Sequence, residues 1–362
     1  MLGTIGLILI VLEGSLELEL NKSKLSIIRQ TSLLALVPML LLSFALGYAF
    51  QFFGDTTFKI GFANAIPFAI ISSAIAIPSA QNLSPKNKEF ITYESSLSDI
   101  YGVILFNFIT SKDNIQTDSV TDFGLNLFVI LLITIVSTLG LALLLSKIKH
   151  HVKFVPIILM ILLIYDISKI YHLPALIFIL LFGIFLGNLD EIKHIKYIEK
   201  LQPEILDKEV HKFKELTTEF AFLVRALFFL LFGFLIKTSE LLNSGTILWA
   251  IGITFGIFMI RMIFLRVFDL KPKPLLYIAP RGLITILLFM SIPVSQKIVV
   301  ANKPLIIQVI ILTALVMMFG MITHKTEKTK KEDVKDHANS DENSLISSDT
   351  SPSPSDDVIL SE

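Results

Sequence analysis

A chain of 362 residues with 53% apolar side chains, 17% charged ones and a mean hydropathy of +0.74 excludes a set of ordinary soluble domains and reads as a polytopic membrane protein. Lysine plus arginine and aspartate plus glutamate stand at 31 each, so no basic excess argues for nucleic acid. The absence of cysteine excludes disulfides, thiolate catalysis and thiolate-bound metal together.

Crossing about 30 Å of hydrocarbon takes about 20 helical residues. Only helices or closed barrels satisfy every backbone group in lipid, and alternating barrel strands are absent. In chain order the apolar runs predict eleven helical spans, over 1–20, 31–53, 58–80, 90–110, 123–145, 154–171, 173–188, 217–237, 243–268, 273–294 and 303–323. The first is short of apolar length, because Glu13, Glu17 and Glu19 follow the uncharged run from Leu2 to Leu12. Residues 1–187 form a first membrane half and 217–323 a second. Between them, 188–216 mixes Leu, Ile and Phe with Lys and Glu, the pattern of an amphipathic cytoplasmic connector. From 324 to 362 the composition turns to Lys, Glu, Asp, Ser and Pro, which predicts a disordered tail.

Basic residues alternate between successive loops. One side carries 22 of them, including Lys22, Lys24, Arg29, six lysines from Lys193 to Lys214 and five in the tail; the other carries only Lys59, Lys112, Lys169, Lys237, Lys297 and Lys303. By the positive-inside rule the rich side is cytoplasmic, which puts Met1 outside and the C-terminal tail inside a cell membrane, such as a bacterial inner membrane. Six of the seven histidines also fall on that side, where solvated loop positions explain them. Three arginines remain within spans, Arg225, Arg261 and Arg281. Arg261 lies near the cytoplasmic end of its span and reads as snorkelling. Arg225 and Glu13 read as structural charges able to neutralise each other.

A charge inside a span costs at least about 2–3 kcal/mol and persists with a partner, a wet cavity or a task. The densest such cluster is Tyr93-Glu94-Ser95-Ser96-Leu97-Ser98-Asp99-Ile100-Tyr101-Gly102. On a helix Glu94 and Ser98 are i,i+4 neighbours, as are Ser95 and Asp99, which predicts two carboxylates and two hydroxyls on one surface. Such hard oxygens suit a small monovalent cation, and a carboxylate can exchange that ion for a proton. Snorkelling near a helix end is the plainer alternative. Two spans also carry helix breakers. One holds Pro67 and Pro78 with Asn64, Ser72, Ser73 and Ser79; the other holds Ala279-Pro280-Arg281-Gly282. Freed backbone groups are tolerated where protein or a cavity satisfies them, and breaks in corresponding positions of two halves mark transporter sites. Taken alone, the prolines of the first span read as ordinary kinks. Arg281 at mid-membrane calls for an anion, Glu94 or Asp99.

Together these residues resemble the monovalent cation:proton antiporters of the sodium/proton exchanger type. Glu94, Ser95 and Asp99 match that family's E-S-x-x-N-D motif, with Ser98 where Asn is usual, and Arg281-Gly282 resembles its R-G motif. The run from Glu219 through Arg225 to Gly233 is similar to a third, weaker one. The resemblance covers most of the chain. It implies an all-α inverted-repeat fold with two discontinuous crossing helices, a homodimer, and a chain apparently lacking two N-terminal helices of the usual thirteen. Where the family carries T-D-P on its first broken helix, Ala76-Ile77-Pro78 are taken to stand here. The acidic side chain is gone and Ser72 or Ser73 is left to supply an oxygen.

The implied function is secondary antiport of Na+ or K+ against H+ by alternate occupation of Asp99. Glu94, Ser95, Ser98 and Ser73 join Asp99 around the ion, and Arg281 holds Glu94 and the broken helix. Neutral Ser98 beside Asp99 resembles the electroneutral branch. No cofactor is expected and no enzyme motif occurs, since H-E-x-x-H is absent and the histidines avoid the spans. A channel-like potassium-efflux protein and an inactive truncated antiporter are the competing readings.

Overall fold

The computed structural model describes residues 2–18, 24–110, 117–147, 154–170, 175–188 and 203–323. Every regular element among them is helical. In chain order they are α1 (Leu2–Leu16), α2 (Leu25–Gly54), α3 (Phe58–Ala69), α4 (Ser73–Ser79), α5 (Pro85–Thr110), α6 (Thr117–Lys147), α7 (Phe154–Ile170), α8 (Ala175–Gly187), α9 (Pro203–Leu235), α10 (Thr238–Leu241), α11 (Ser244–Val267), α12 (Pro272–Leu275) and α13 (Leu283–Ser291), followed by α14 (Lys303–Thr323). Residues Met1–Met317 form one compact unit, while the described part of a second, Met318–Glu362, is the last stretch of α14.

The helices follow the apolar runs, and the two spans that carry helix breakers are each divided. The span expected at 58–80 is two helices, α3 and α4, and that expected at 273–294 is likewise split into α12 and α13. The first split falls at Ile70–Ser72, so neither Pro67 nor Pro78 makes it; both lie inside helices. Helix α9 runs without a break across 216–217, joining the end of the expected connector to the following span. Residues 189–202 and the tail from 324 lie outside the described residues. Among the described residues, four segments are long and apolar enough to cross a membrane by length and composition alone, namely Leu25–Gly54, Phe58–Ser79, Ser244–Val267 and Lys303–Thr323.

Packing divides the helices into two groups. In one, α1 lies against α8 and α9, and α6 and α7 against α8. In the other, α2 packs on α3, α5 and α11, and α3 and α4 pack on α5. The groups meet where α1 and α8 touch α5 and where α1 and α9 touch α13. Apolar surface gives helices little reason to associate within lipid, so small residues that admit close backbone approach matter more there. A Cβ on Gly47 of α2 would lie 3.1 Å from the Phe62 Cα of α3, and one on Gly187 of α8 would lie 2.7 Å from the Leu16 carbonyl oxygen of α1. These two contacts hold each group together at backbone distance.

Candidate functional site

Helix α5 carries the motif through the centre of the second group. Glu94, Ser95, Ser96, Ser98 and Asp99 are all buried. At 100° per residue they do not share one surface: Glu94 and Ser98 point one way, Asp99 roughly a third of a turn beyond, and Ser96 further round. This corrects the expectation of a common carboxylate face. Gly102, one turn after Asp99, abuts Ile70 so closely that an added Cβ would collide with that side chain. Glycine there lets α5 approach the first interruption.

Between α3 and α4 the extended residues Ile70–Ser72 leave amides without helical partners. The Ile71 N–H donates to Ser98 Oγ at 3.0 Å, and the Ser72 N–H donates to the Pro280 carbonyl at 2.9 Å. The Ser73 N–H donates to Asp99 Oδ2 at 3.3 Å, and the Ser73 hydroxyl donates to the same oxygen. Asp99 therefore receives the start of α4, where the helix leaves its amides unpaired. The two interruptions are tied to each other through Ser72 and Pro280.

Arg281 lies in the second interruption and is 3% exposed. Its Nε donates to the Phe68 carbonyl at 2.7 Å, Nη2 to that of Ala69 at 3.2 Å and Nη1 to that of Ala279 at 2.8 Å, while its backbone N–H donates to Thr313 Oγ1 at 3.1 Å. It caps the carbonyl end of α3, where a cation opposes the negative end of the helix. Its expected hold on the broken helix is present, but its expected partner Glu94 belongs to another arginine. Arg261 donates from Nη1 and Nη2 to the two Glu94 oxygens at 2.6 and 2.8 Å, and from Nε to the Leu275 carbonyl that ends α12, at 2.9 Å. At 5% exposure it does not snorkel. Hydropathy placed it near a span end; the fold buries the side of that end that bears Arg261 and Leu265, against α12.

The remaining candidates separate clearly. Ser95 Oγ donates within its own helix to the Ile91 carbonyl at 2.7 Å. Arg225 of α9 holds Glu13 of α1 through two hydrogen bonds of 2.8 and 2.9 Å, inside the first group and apart from the interruptions. Asp99 Oδ1, Ser72 Oγ and Ser96 Oγ are buried without a hydrogen-bond partner. A cavity of about 20 Å³ is lined by Pro38, Ala69, Ser98, Arg261, Ala279 and Arg281, enough for one water-sized occupant, and none of those three oxygens belongs to its lining. Sequence reasoning passed over Ser96 and misread Arg261. The signal for Arg261 was arithmetic, since Glu94 needs a cation and only three arginines lie within spans.

Two interrupted helices, joined backbone to backbone and flanked by one incompletely satisfied carboxylate, are an arrangement for binding and releasing a small cation. The family described as sodium/hydrogen exchanger, transmembrane, matches residues 1–326. The chain belongs to the sodium/hydrogen exchanger family. That places it among multi-pass membrane transporters that exchange cations for protons, and not among enzymes. Two solved structures of the sodium proton antiporter MjNhaP1 from Methanocaldococcus jannaschii are similar in fold. The structure at pH 8 is 21% identical, covering 88% of this chain and 81% of that one with a TM-score of 0.54. The electron-microscopy structure is 20% identical, covering 89% and 81% with a TM-score of 0.55. None of the curated proteins matches.

Proposed function

We propose that this exchanger moves one Na+ or K+ against one H+, with the two competing for Asp99. The observation that carries the reading is the unequal state of that carboxylate. One oxygen accepts from Ser73 beside the first interruption, and the other is buried with no partner. A proton on Oδ1, or a cation against it, neutralises the site, and both cannot be accommodated at once. Ser73, Ser98 and Ser95 are the neighbouring oxygens, while Glu94 is withdrawn as an ion ligand because Arg261 occupies both of its oxygens. A single available carboxylate, with neutral Ser98 beside it, supports a one-for-one, electroneutral exchange.

The wider arrangement belongs to the same reading. Eleven spans form two halves, 1–187 and 217–323, related as inverted repeats and joined by the connector 188–216, with 324–362 as a cytoplasmic tail. The group around α2, α3 and α5 rocks against the group around α1, α8 and α9. The chain is a homodimer in a bacterial inner membrane, with the N-terminus outside as the lysine distribution favours.

The test is dissipation of a pH gradient in proteoliposomes on adding NaCl, KCl or LiCl. The expected result is saturable dissipation that is insensitive to an imposed membrane potential and absent from Asp99→Asn. Proton-coupled cation flux persisting in Asp99→Asn would falsify the assignment, and potential-driven flux would refute the stoichiometry.

A further inference from the structure

We infer that Ser96 is a direct ligand of the transported cation, bridging it with Asp99 Oδ1. The inference rests on the proposed competition at Asp99 and adds a residue to that site. Ser96 is 3% exposed and its hydroxyl oxygen has no hydrogen-bond partner. A helical serine ordinarily donates back to a carbonyl three or four residues earlier. Ser95 does so to Ile91, Thr92 to Lys88 and Thr110 to Phe106, all on this same helix. Ser96 does not, which leaves its oxygen open to another occupant.

Asp99 follows Ser96 by three residues, which sets their Cβ atoms about 5–6 Å apart on adjoining strips of the helix. One cation at ordinary oxygen contact distances spans that separation. Both atoms are orphaned acceptors, whereas Ser98 Oγ is taken up by the Ile71 amide and Asp99 Oδ2 by Ser73. Opposite Ser96 stands Gly14 of α1, where an added Cβ would lie 3.5 Å from Ser96 Oγ. The facing helix thus presents no side chain at this point. The alternative position, the cavity beside Ser98, is lined by Arg261 and Arg281, and the Arg281 guanidinium, which bonds only carbonyls, repels a cation.

The test is the Na+ concentration dependence of exchange in proteoliposomes. Ser96→Ala is expected to raise the half-saturating Na+ concentration about tenfold while the maximal rate stays within about twofold, the pattern of a lost ligand. Ser96→Thr, which keeps the hydroxyl, restores the parent value. A half-saturating concentration within about twofold of the parent for Ser96→Ala, with Asp99→Asn inactive, overturns the role of Ser96 and leaves the proposed exchange standing; an active Asp99→Asn overturns that exchange itself.

A second measurement does not depend on transport by an alanine variant. The chain has no cysteine, so Ser96→Cys introduces a single thiol. Na+ is expected to slow its modification by a small cationic thiol reagent relative to N-methylglucamine at equal ionic strength. Equal rates in the two salts overturn the inference.

Discussion

Glu94 and Asp99 stand five residues apart on α5, buried to 1% and 6% exposure, and have opposite fates. Glu94 meets a guanidinium head-on, with both oxygens engaged by Arg261. Asp99 has no cation bonded to it, and only one of its oxygens is satisfied, by Ser73. A buried carboxylate locked in a bidentate pair is a structural fixture, because exchanging its partner means exposing two charges at once. One held by a hydroxyl and an amide keeps a free oxygen for a visitor. The lesson is that two acidic residues of one motif divide the work of holding and carrying.

The division is broken or sharpened most forcefully by neutralising each in turn. Glu94→Gln leaves Arg261 as an uncompensated buried charge and is expected to cost about 3–5 kcal/mol, read as loss of monodisperse protein and a lowered Tm in detergent. Combining it with Arg261→Gln should recover part of that loss, since the pair is coupled. Asp99→Asn is expected to keep the fold, with stability within about 1 kcal/mol of the parent, while exchange disappears. A stable, active Glu94→Gln beside an unfolded Asp99→Asn would reverse the two roles.

A smaller effect separates charge from geometry at the interruptions. Arg281 spreads three guanidinium hydrogen bonds over Phe68, Ala69 and Ala279, and so spans both broken helices with one planar group. Lysine keeps the charge but concentrates it at a point and cannot reach all three carbonyls. Arg281→Lys should therefore lower stability by about 1–3 kcal/mol, seen as a shifted Tm, with less harm than Glu94→Gln because the lysine keeps part of the carbonyl contacts and no ion pair is broken.

Much of this was legible in the residues. Apolar runs located the helices because lipid allows little else, and the Ala279-Pro280-Arg281-Gly282 run marked the second interruption. The first was misplaced. Its prolines sit within α3 and α4, whereas the opening at Ile70–Ser72 has no breaker of its own and exists because Ser98, Asp99 and Pro280 satisfy the freed amides from other helices. Taking Ala76-Ile77-Pro78 as the place of the break fails for the same reason. Arg261 was hidden in the same way. One-dimensional hydropathy put it near a membrane edge, and only the arrival of Glu94 from a helix 167 residues away makes it interior. Glu13 and Arg225 were easier, because Glu13 is the lone charge of α1 and Arg225 the lone charge in the apolar run from Phe220 to Leu235, and the need for compensation suggests the other.

The smallest predicted effect lies away from the buried pairs, on the short segment between α9 and α11. Glu240 of α10 accepts from Lys303 of α14 at 2.9 Å and from the Lys237 backbone at 3.3 Å, and Gln308 of α14 donates to the carbonyls of Leu241 and Asn243 at 3.1 Å. The Lys303 hydrogen bond is the chief cause that holds the Glu240 carboxyl below its ordinary value of 4.5. A depressed folded value means that the contact contributes fully above the unfolded value and is lost as pH falls through the folded one. At neutral pH Glu240→Gln should change Tm by no more than a degree or so, as exposed ion pairs are worth little. The informative measurement is the Tm difference between parent and Glu240→Gln as pH is lowered from about 6 to below 4.5, which should narrow toward zero and shrink further in high salt. Against Glu94, whose loss is expected to unfold the protein, a clamp that fades with acid and salt gives the contrast that solvent screening predicts, and a difference that widened on acidification would contradict it.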